Sequence, residues 1–310
     1  MSIIQKIQEN IRKVIVGKEE AVDLTMVALI SNGHILFEDV PGTGKTLLAK
    51  SVAKSIDASF KRLQFTSDTL PADILGQEYF DLKDGVFRKR YGPIFANIVL
   101  VDEINRTVPR TQSALLEVME ERTVTIGDET TRLPAPFLVI ATQNPLESDG
   151  TFPLPDAQLD RFLMTIRQGY PTAEEEREIM RRFREQNPID TLQSVITAAE
   201  IIQVQEQAKK VSIDRSIEDY IISNIQATRS HSLVEIGVSP RGSLALMKAC
   251  QSRALLYERT YCTPDDVQAL ATPVLAHRLV LTVEGDMKVT KQEVIQELIH
   301  TLPVPVEHSI

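Results

Sequence analysis

The sequence predicts an α/β protein: a core with a five-stranded parallel sheet between helical layers, followed by a smaller all-helical domain. Three observations point this way. Short apolar runs of strand length alternate with segments of helical periodicity in the first half of the chain, the pattern of buried parallel strands joined by crossover helices. After Tyr170-Pro171, helical periodicity dominates. The 310 residues are 43% hydrophobic but only 5% aromatic, with no Trp, so the core is built from aliphatic side chains. A chain of this length suits two domains better than one enlarged core.

Along the chain, residues 3–15 place Ile3, Ile7, Ile11 and Val14/Ile15 on one helical face. VGKEEAVDLTMVALI continues as a second helix, which Asn32-Gly33 stops. HILFE (34–38) reads as the first buried strand, and VPGTGKT leads from it into the helix LLAKSVAKSI. The remaining strands are FKRLQF (60–65), IVLVD (98–102), FLVIAT (137–142) and LMTIR (163–167). Two insertions interrupt the rhythm. LGQEYFDLKDGVFRKRYGPI alternates polar and apolar residues about Asp84-Gly85, and ERTVTIGDETTRLP does so about Gly127-Asp128; both read as hairpins, either contact elements or surface decoration. Helices follow at 173–186, 197–209, 215–228, 240–257, 264–277 and 291–301. The Asn187-Pro188 step divides the chain into domains 1–187 and 188–310.

The net charge is −9, so no global positive field favours nucleic acid. The basic runs Arg88-Lys89-Arg90 and Arg181-Arg182 with Arg184 stand beside acidic residues and read as solvated faces. Two cysteines, Cys250 and Cys262, form no CxxC pair, and the five histidines show no ligand spacing; a disulfide framework and a zinc site are not expected. Cys250 sits among Leu244, Leu246, Met247 and Leu255, as a small core residue would. The opening MSIIQKIQENIRKVI lacks the continuous apolar stretch of a signal peptide, and no run approaches the ~20 apolar residues of a membrane helix. A cytoplasmic protein without membrane insertion is expected.

Pro41-Gly42-Thr43-Gly44-Lys45-Thr46, between a strand and the helix that continues with Leu47, carries the strongest chemical signal. Glycines let backbone N–H groups turn towards phosphates, and the helix N-terminus behind them favours negative charge. Lys45 can reach the β- and γ-phosphates of ATP, and the Thr46 hydroxyl can ligate Mg2+. One position departs from the pattern: Asp39 stands where the first glycine belongs, and its carboxylate is expected to point away from phosphate. Ile98-Val99-Leu100-Val101-Asp102-Glu103 is an apolar strand ending in two carboxylates at the edge where parallel sheets bind ligands. Asp102 would hold Mg2+, through water, and Glu103 would polarise an attacking water. Thr142-Gln143-Asn144-Pro145 ends the fourth strand, where Asn144 could position water or touch the γ-phosphate, although Asn-Pro is also a routine turn.

These two motifs, the Asn144 strand end and the trailing helical domain together resemble the AAA+ ATPases. More narrowly, VDEINRTVPRTQSALLEVMEERTVTI, ATQNPLESDGTFPLPDAQLDRFL and GVSPRGSLALMKACQSRALL resemble the MoxR family, as do HRLVLT and LPVP near the C-terminus. The resemblance implies a Mg2+-dependent ATPase working as a homo-oligomeric ring, a hexamer in the family's pattern. Asn144 matches the sensor 1 position. Arg161 matches the arginine finger that reaches a neighbouring subunit's nucleotide; a cis ion pair with Asp156 or Asp160 is the alternative, and Arg106, Arg110 and Arg167 are rival fingers. Arg241 in Ser239-Pro240-Arg241 matches sensor 2 at the start of a lid helix, where Pro240 also suits a plain helix start. Val16 and Gly17 match the stretch that lies against adenine. The family's role is chaperone-like, in maturing, activating or inserting metal into client proteins, often with partners bearing von Willebrand factor A-like domains. A nucleic-acid ring motor and a slow nucleotide-gated scaffold are the alternatives.

Overall fold

The computed structural model describes residues 2–40, 42–144 and 150–305. The chain forms two compact units, Met1–Leu154 with Ile166–Ile202 and Pro155–Thr165 with Gln203–Ile310.

The first unit opens with α1 (Ile3–Arg12), whose Ser2 and Gln5 cap each other reciprocally and whose buried residues include Ile4, Ile7 and Ile11. In α2 (Glu19–Ile30) every residue from Leu24 to Ile30 is buried, so this helix lies inside the unit rather than on it. Then follow β1 (Ile35–Glu38), α3 (Lys45–Ser55), β2 (Phe60–Gln64) and the short α4 (Pro71–Leu75). The expected first hairpin is β3 (Gly76–Asp81) with β4 (Val86–Tyr91), antiparallel and in unbroken register from Gly76↔Tyr91 to Asp81↔Val86. After β5 (Ile98–Asp102) comes α5 (Pro109–Glu121), then the second hairpin, β6 (Thr123–Ile126) with β7 (Glu129–Arg132), and β8 (Leu138–Gln143).

The main sheet has the order β2-β5-β8-β1-β9, with α6 (Asp156–Leu159) preceding β9 (Met164–Ile166). The β2/β5, β5/β8 and β8/β1 pairs are parallel. Each residue of β5 is buried, as are Ile35 to Phe37 and Leu138 to Ala141, which is why these strands read as unbroken apolar runs rather than alternating ones. The register aligns the carboxyl ends: Gln64 faces Asp102 and Glu38 faces Gln143. From β1 the chain crosses to β2 on one side, and β9 later joins on the other. That reversal opens a crevice at the carboxyl edge beside β1.

The chain continues through α7 (Ala173–Phe183), α8 (Pro188–Thr191) and α9 (Ala198–Ala208). The division between units falls after Ile202, later than the expected Asn187-Pro188 step. Hydrogen bonds hold the intervening segment to the end of α3 and to α1: Lys54 Nζ donates to the Ile189 carbonyl (2.7 Å), Val195 N–H to the Ser55 carbonyl (2.9 Å), and Asn10 Nδ2 of α1 to the Gln193 carbonyl (2.8 Å).

The second unit contains α10 (Arg215–Ser230), β10 (Val234–Ile236), α11 (Pro240–Leu256), α12 (Pro264–Leu275), β11 (Val280–Leu281), α13 (Val283–Lys288) and α14 (Lys291–Thr301). It is helical as expected, with one addition, the small antiparallel ribbon β10-β11. Residues 155–165 belong here because buried Arg278 holds them: its guanidinium donates to Asp160 Oδ1 (2.6 Å), the Phe162 carbonyl (2.7 Å) and the Leu163 carbonyl (3.1 Å). Burial pushes the Cys262 thiol up to about 12 and that of Cys250 well above its ordinary value, so both are packing residues rather than nucleophiles. Among the described residues no helix is long and apolar enough to cross a membrane.

Candidate nucleotide-binding site

The loop between β1 and α3 turns through Gly42 (φ +86°) and Gly44 (φ +91°), left-handed conformations that a Cβ disfavours. Pro41 lies outside the described residues. Lys45, the first residue of α3, is buried, and its ammonium donates to the carbonyls of Val40 (2.8 Å) and Asp39 (3.2 Å). Burial lowers its pKa, against the opposing pull of the Asp39 and Asp102 charges. The Asp39 carboxylate is engaged elsewhere: Oδ2 accepts the Gln168 N–H (2.6 Å) and Oδ1 the Gly169 N–H (3.3 Å).

Across the crevice, β5 delivers Asp102 and Glu103. Asp102 Oδ2 accepts from Arg62 Nε (2.6 Å), and Oδ1 from the Thr142 hydroxyl (3.4 Å). Glu103 turns left-handed (φ +58°), and its N–H donates to Thr142 Oγ1 (3.0 Å); backbone strain of this kind gathers at functional sites. Its carboxylate oxygen Oε2 accepts from Gln64 Nε2 (2.9 Å) and lies 3.0 Å from Arg106 Nε. Lys45, Thr46, Asp102, Glu103 and Asn144 line one cavity of about 350 Å³. A second, apolar cavity of about 150 Å³ adjoins it, sharing Gly42, Gly44 and Leu47. Val16 lines the second cavity together with Leu48, Ile179 and Phe183. Gly17 (φ +64°) lies so close to Glu175 that an added Cβ would fall 2.0 Å from that carboxyl carbon.

Two adjoining compartments, one polar and one apolar, suit a nucleotide whose phosphates and base differ in the same way. The donor set also fits Mg2+. Among the described residues no three His, Cys, Asp or Glu side chains gather into a metal cage, and Mg2+ is typically held by one or two protein oxygens together with phosphate oxygens and water. Thr46 and Asp102 are such a pair.

The sequence-predicted arginines divide differently. Arg106 pairs with Glu103, and Arg167 with Glu38 (2.9 Å), both within the first unit. Arg110 is exposed at the start of α5. In the second unit Arg241 is exposed at the start of α11, 3.9 Å from Asp160 Oδ2. Arg161 is half-buried next to Asp160. Asp160 itself pairs with Arg278, and Asp156 with Lys291 (3.3 Å). The basic runs are locally matched: Arg88 with Asp81, Lys89 with Glu129, and Arg182 with Glu178.

Sequence reasoning passed over Arg62, Gln64 and Gln168. Arg62 and Gln64 alternate on β2, and two polar residues on one face of an internal-looking strand were an available signal.

Residues 34–164 match the ATPase family associated with various cellular activities (AAA), and residues 226–298 match the AAA lid domain. An uncharacterised Bacillus subtilis protein, YeaC, is 48% identical over 99% of this chain and 96% of its own length. Chaperone MoxR1 of Mycobacterium tuberculosis is 40% identical over 97% of this chain and 82% of its own. The crystal structure of a candidate ATPase from Cytophaga hutchinsonii superposes with a TM-score of 0.92 at 36% identity, covering 98% of this chain and 95% of that one. The chain belongs to the MoxR family of AAA+ ATPases.

Proposed function

We propose that the protein binds ATP in the paired cavities and hydrolyses it with Mg2+, acting on client proteins as a chaperone-like member of a homo-oligomeric ring. The observation that carries this reading is the convergence of Lys45, Thr46, Asp102, Glu103 and Asn144 on one cavity. Phosphates take the loop N–H groups and the Lys45 ammonium, which exchanges its two carbonyl partners for them. Thr46 and Asp102 hold Mg2+, which when bound neutralises charge on the phosphate oxygens. Glu103 orients the attacking water and accepts its proton, Asn144 fixes that water from the end of β8, and the apolar cavity at Val16 takes the base. Arg161 acts from a neighbouring subunit, and Arg241 links the helical unit to phosphate. The name of the mycobacterial relative supports the chaperone role; the partner class, including von Willebrand factor A-like proteins, rests on the family.

A slow nucleotide-gated scaffold is the second reading, and one contact favours it. Gln64 Nε2 donates to Glu103 Oε2 and Arg106 Nε lies 3.0 Å from the same oxygen, so that oxygen is engaged by the protein's own side chains rather than by water.

The test mixes two variants. Glu103→Gln and Arg161→Ala are each nearly inactive alone, and activity returns on mixing, because an Arg161→Ala subunit offers Glu103 while its neighbour offers the finger. A mixture that stays inactive beside an active wild type, with subunit exchange shown by differently labelled chains, removes the trans-finger role from Arg161. Wild type that binds ATP but hydrolyses it in a single turnover no faster than free ATP in buffer selects the scaffold.

A further inference from the structure

The edge strand of the main sheet, β2, sends a cation into the polar cavity. Arg62 and Gln64 lie two residues apart on β2 and so share a face of the sheet. The register sets them opposite Leu100 and Asp102 of β5. Arg62 reaches diagonally along that face, and its Nε donates to Asp102 Oδ2 at 2.6 Å. The two partners differ in exposure: the Asp102 side chain is 12% exposed and that of Arg62 52%. Both line the cavity that Lys45 and Thr46 also line.

The carboxylate that Arg62 holds is the one assigned above to Mg2+. A largely buried carboxylate beside the phosphate loop is unfavourable in two ways when nothing balances it. It has given up water, and it repels the phosphates that the loop N–H groups and Lys45 attract. Asp102 therefore needs a counter-charge whether or not metal is present. Its other contact, the Thr142 hydroxyl at 3.4 Å from Oδ1, is neutral, whereas the Arg62 guanidinium is a full charge in direct contact. Because that side chain is half exposed on an edge strand, water can replace Asp102 as its partner at small cost. Arg278, 3% exposed, has no such freedom.

We propose that Arg62 is a positioning residue that stands in for the metal: it neutralises Asp102 while the site is free of Mg2+, which lets nucleotide bind without metal, and it gives up the carboxylate when Mg2+ is present. The proposal rests on the nucleotide-site reading above and adds the means by which that site tolerates metal-free nucleotide. Its signature is a different effect of Arg62 in the two states. Without metal, losing Arg62 leaves the Asp102 charge bare in the cavity that takes the phosphates. With metal, Arg62 is a second cation beside one carboxylate, and its loss matters little. A charge-assisted hydrogen bond sets the scale of the metal-free effect at about tenfold in affinity. A merely structural role would lower affinity equally in both states.

Calorimetric titration of the full chain with ADP, once in excess Mg2+ and once in EDTA, reads both states without turnover. Arg62→Ala is expected to bind ADP about tenfold more weakly than wild type in EDTA and within about twofold of wild type in Mg2+. Arg62→Gln, which keeps most of the side chain without its charge, should behave as Arg62→Ala does, and Arg62→Lys should recover most of the metal-free affinity. Asp102→Asn removes the charge that Arg62 balances, so adding Arg62→Ala to it should change the metal-free affinity little. Equal losses in Mg2+ and EDTA, an unchanged affinity in EDTA, or the same loss in the Asp102→Asn background overturns the stand-in role and leaves the nucleotide site standing. Wild type that binds ADP only with Mg2+ does so too. Wild type that binds ADP in neither condition overturns both.

Discussion

Removing the Arg278 side chain should disable the second unit, and the structure sets the scale. The guanidinium is 3% exposed and makes a 2.6 Å ion pair with Asp160, itself 22% exposed. The same group donates to the carbonyls of Phe162 and Leu163. Arg278→Ala therefore strips a carboxylate of its buried partner and leaves two carbonyls without these donors. Breaking a buried pair from one side costs about 3–5 kcal/mol, most of it the desolvation of what remains. For a unit of this size that is a fall in melting temperature of more than about 10 °C. Arg278→Lys should lie between the two, since an ammonium can serve Asp160 but cannot fork to the carbonyls as well. Urea denaturation followed by circular dichroism reads the loss. Because Asp160 and Phe162 flank Arg161, the Lys variant should also hydrolyse ATP more slowly at temperatures where it stays folded. A cost below about 1 kcal/mol for Arg278→Ala would show that residues 155–165 are held by something else.

Two further outcomes follow from buried or strained positions. His34 is buried, accepts the Val139 N–H at Nδ1 (3.0 Å) and meets the Met119 carbonyl at Nε2 (2.9 Å); burial, with the nearby Arg122 charge, lowers its pKa to about 3. Below pH ~6.5 the unfolded chain takes up a proton that folded His34 refuses, so stability is full above that pH and falls towards pH 3 by up to about 1.4 kcal/mol per unit. Buried His277, shifted in the same direction, steepens the slope, and His34→Gln should flatten it; urea midpoints at pH 7 and pH 5 measure both. Gly17→Ala should lower both the melting temperature and ADP affinity, because a Cβ is strained at φ +64° and would also displace the Glu175 carboxyl 2.0 Å away. Glu175→Ala in the same chain should restore part of each, and equal losses in both backgrounds would rule out the clash.

The sequence was most legible where burial is uniform or a turn demands a particular residue. IVLVD is buried throughout in β5, so its apolar run matched the strand to the residue. Asp84-Gly85 and Gly127-Asp128 marked both hairpins. Helix α5 shows no clean apolar period because its buried face includes Thr111 and Gln112. The Gln112 amide donates to the Ile104, Thr107 and Phe152 carbonyls, so a polar side chain fills a core position and breaks the apolar period. Strands of two or three residues, as in β10-β11, are too short to show any period. In the site, the phosphate loop and the Asp102-Glu103 pair were readable because their chemistry is local. Arg62, Gln64 and Gln168 act through neighbours distant in sequence. The contact of Gln64 with Glu103 depends on the β2/β5 register, and Gln168 meets Asp39 and Lys18 through its main chain, which no side-chain pattern reveals.

The central claim is that Glu103 activates water for ATP hydrolysis in a site whose binding residues lie elsewhere. The most direct measurement is ATP binding and single-turnover hydrolysis by Glu103→Gln beside wild type. Binding retained within a few-fold, with hydrolysis reduced by about 10²–10⁴, is the predicted result. Hydrolysis at the wild-type rate by Glu103→Gln would contradict the account and move the base to another residue.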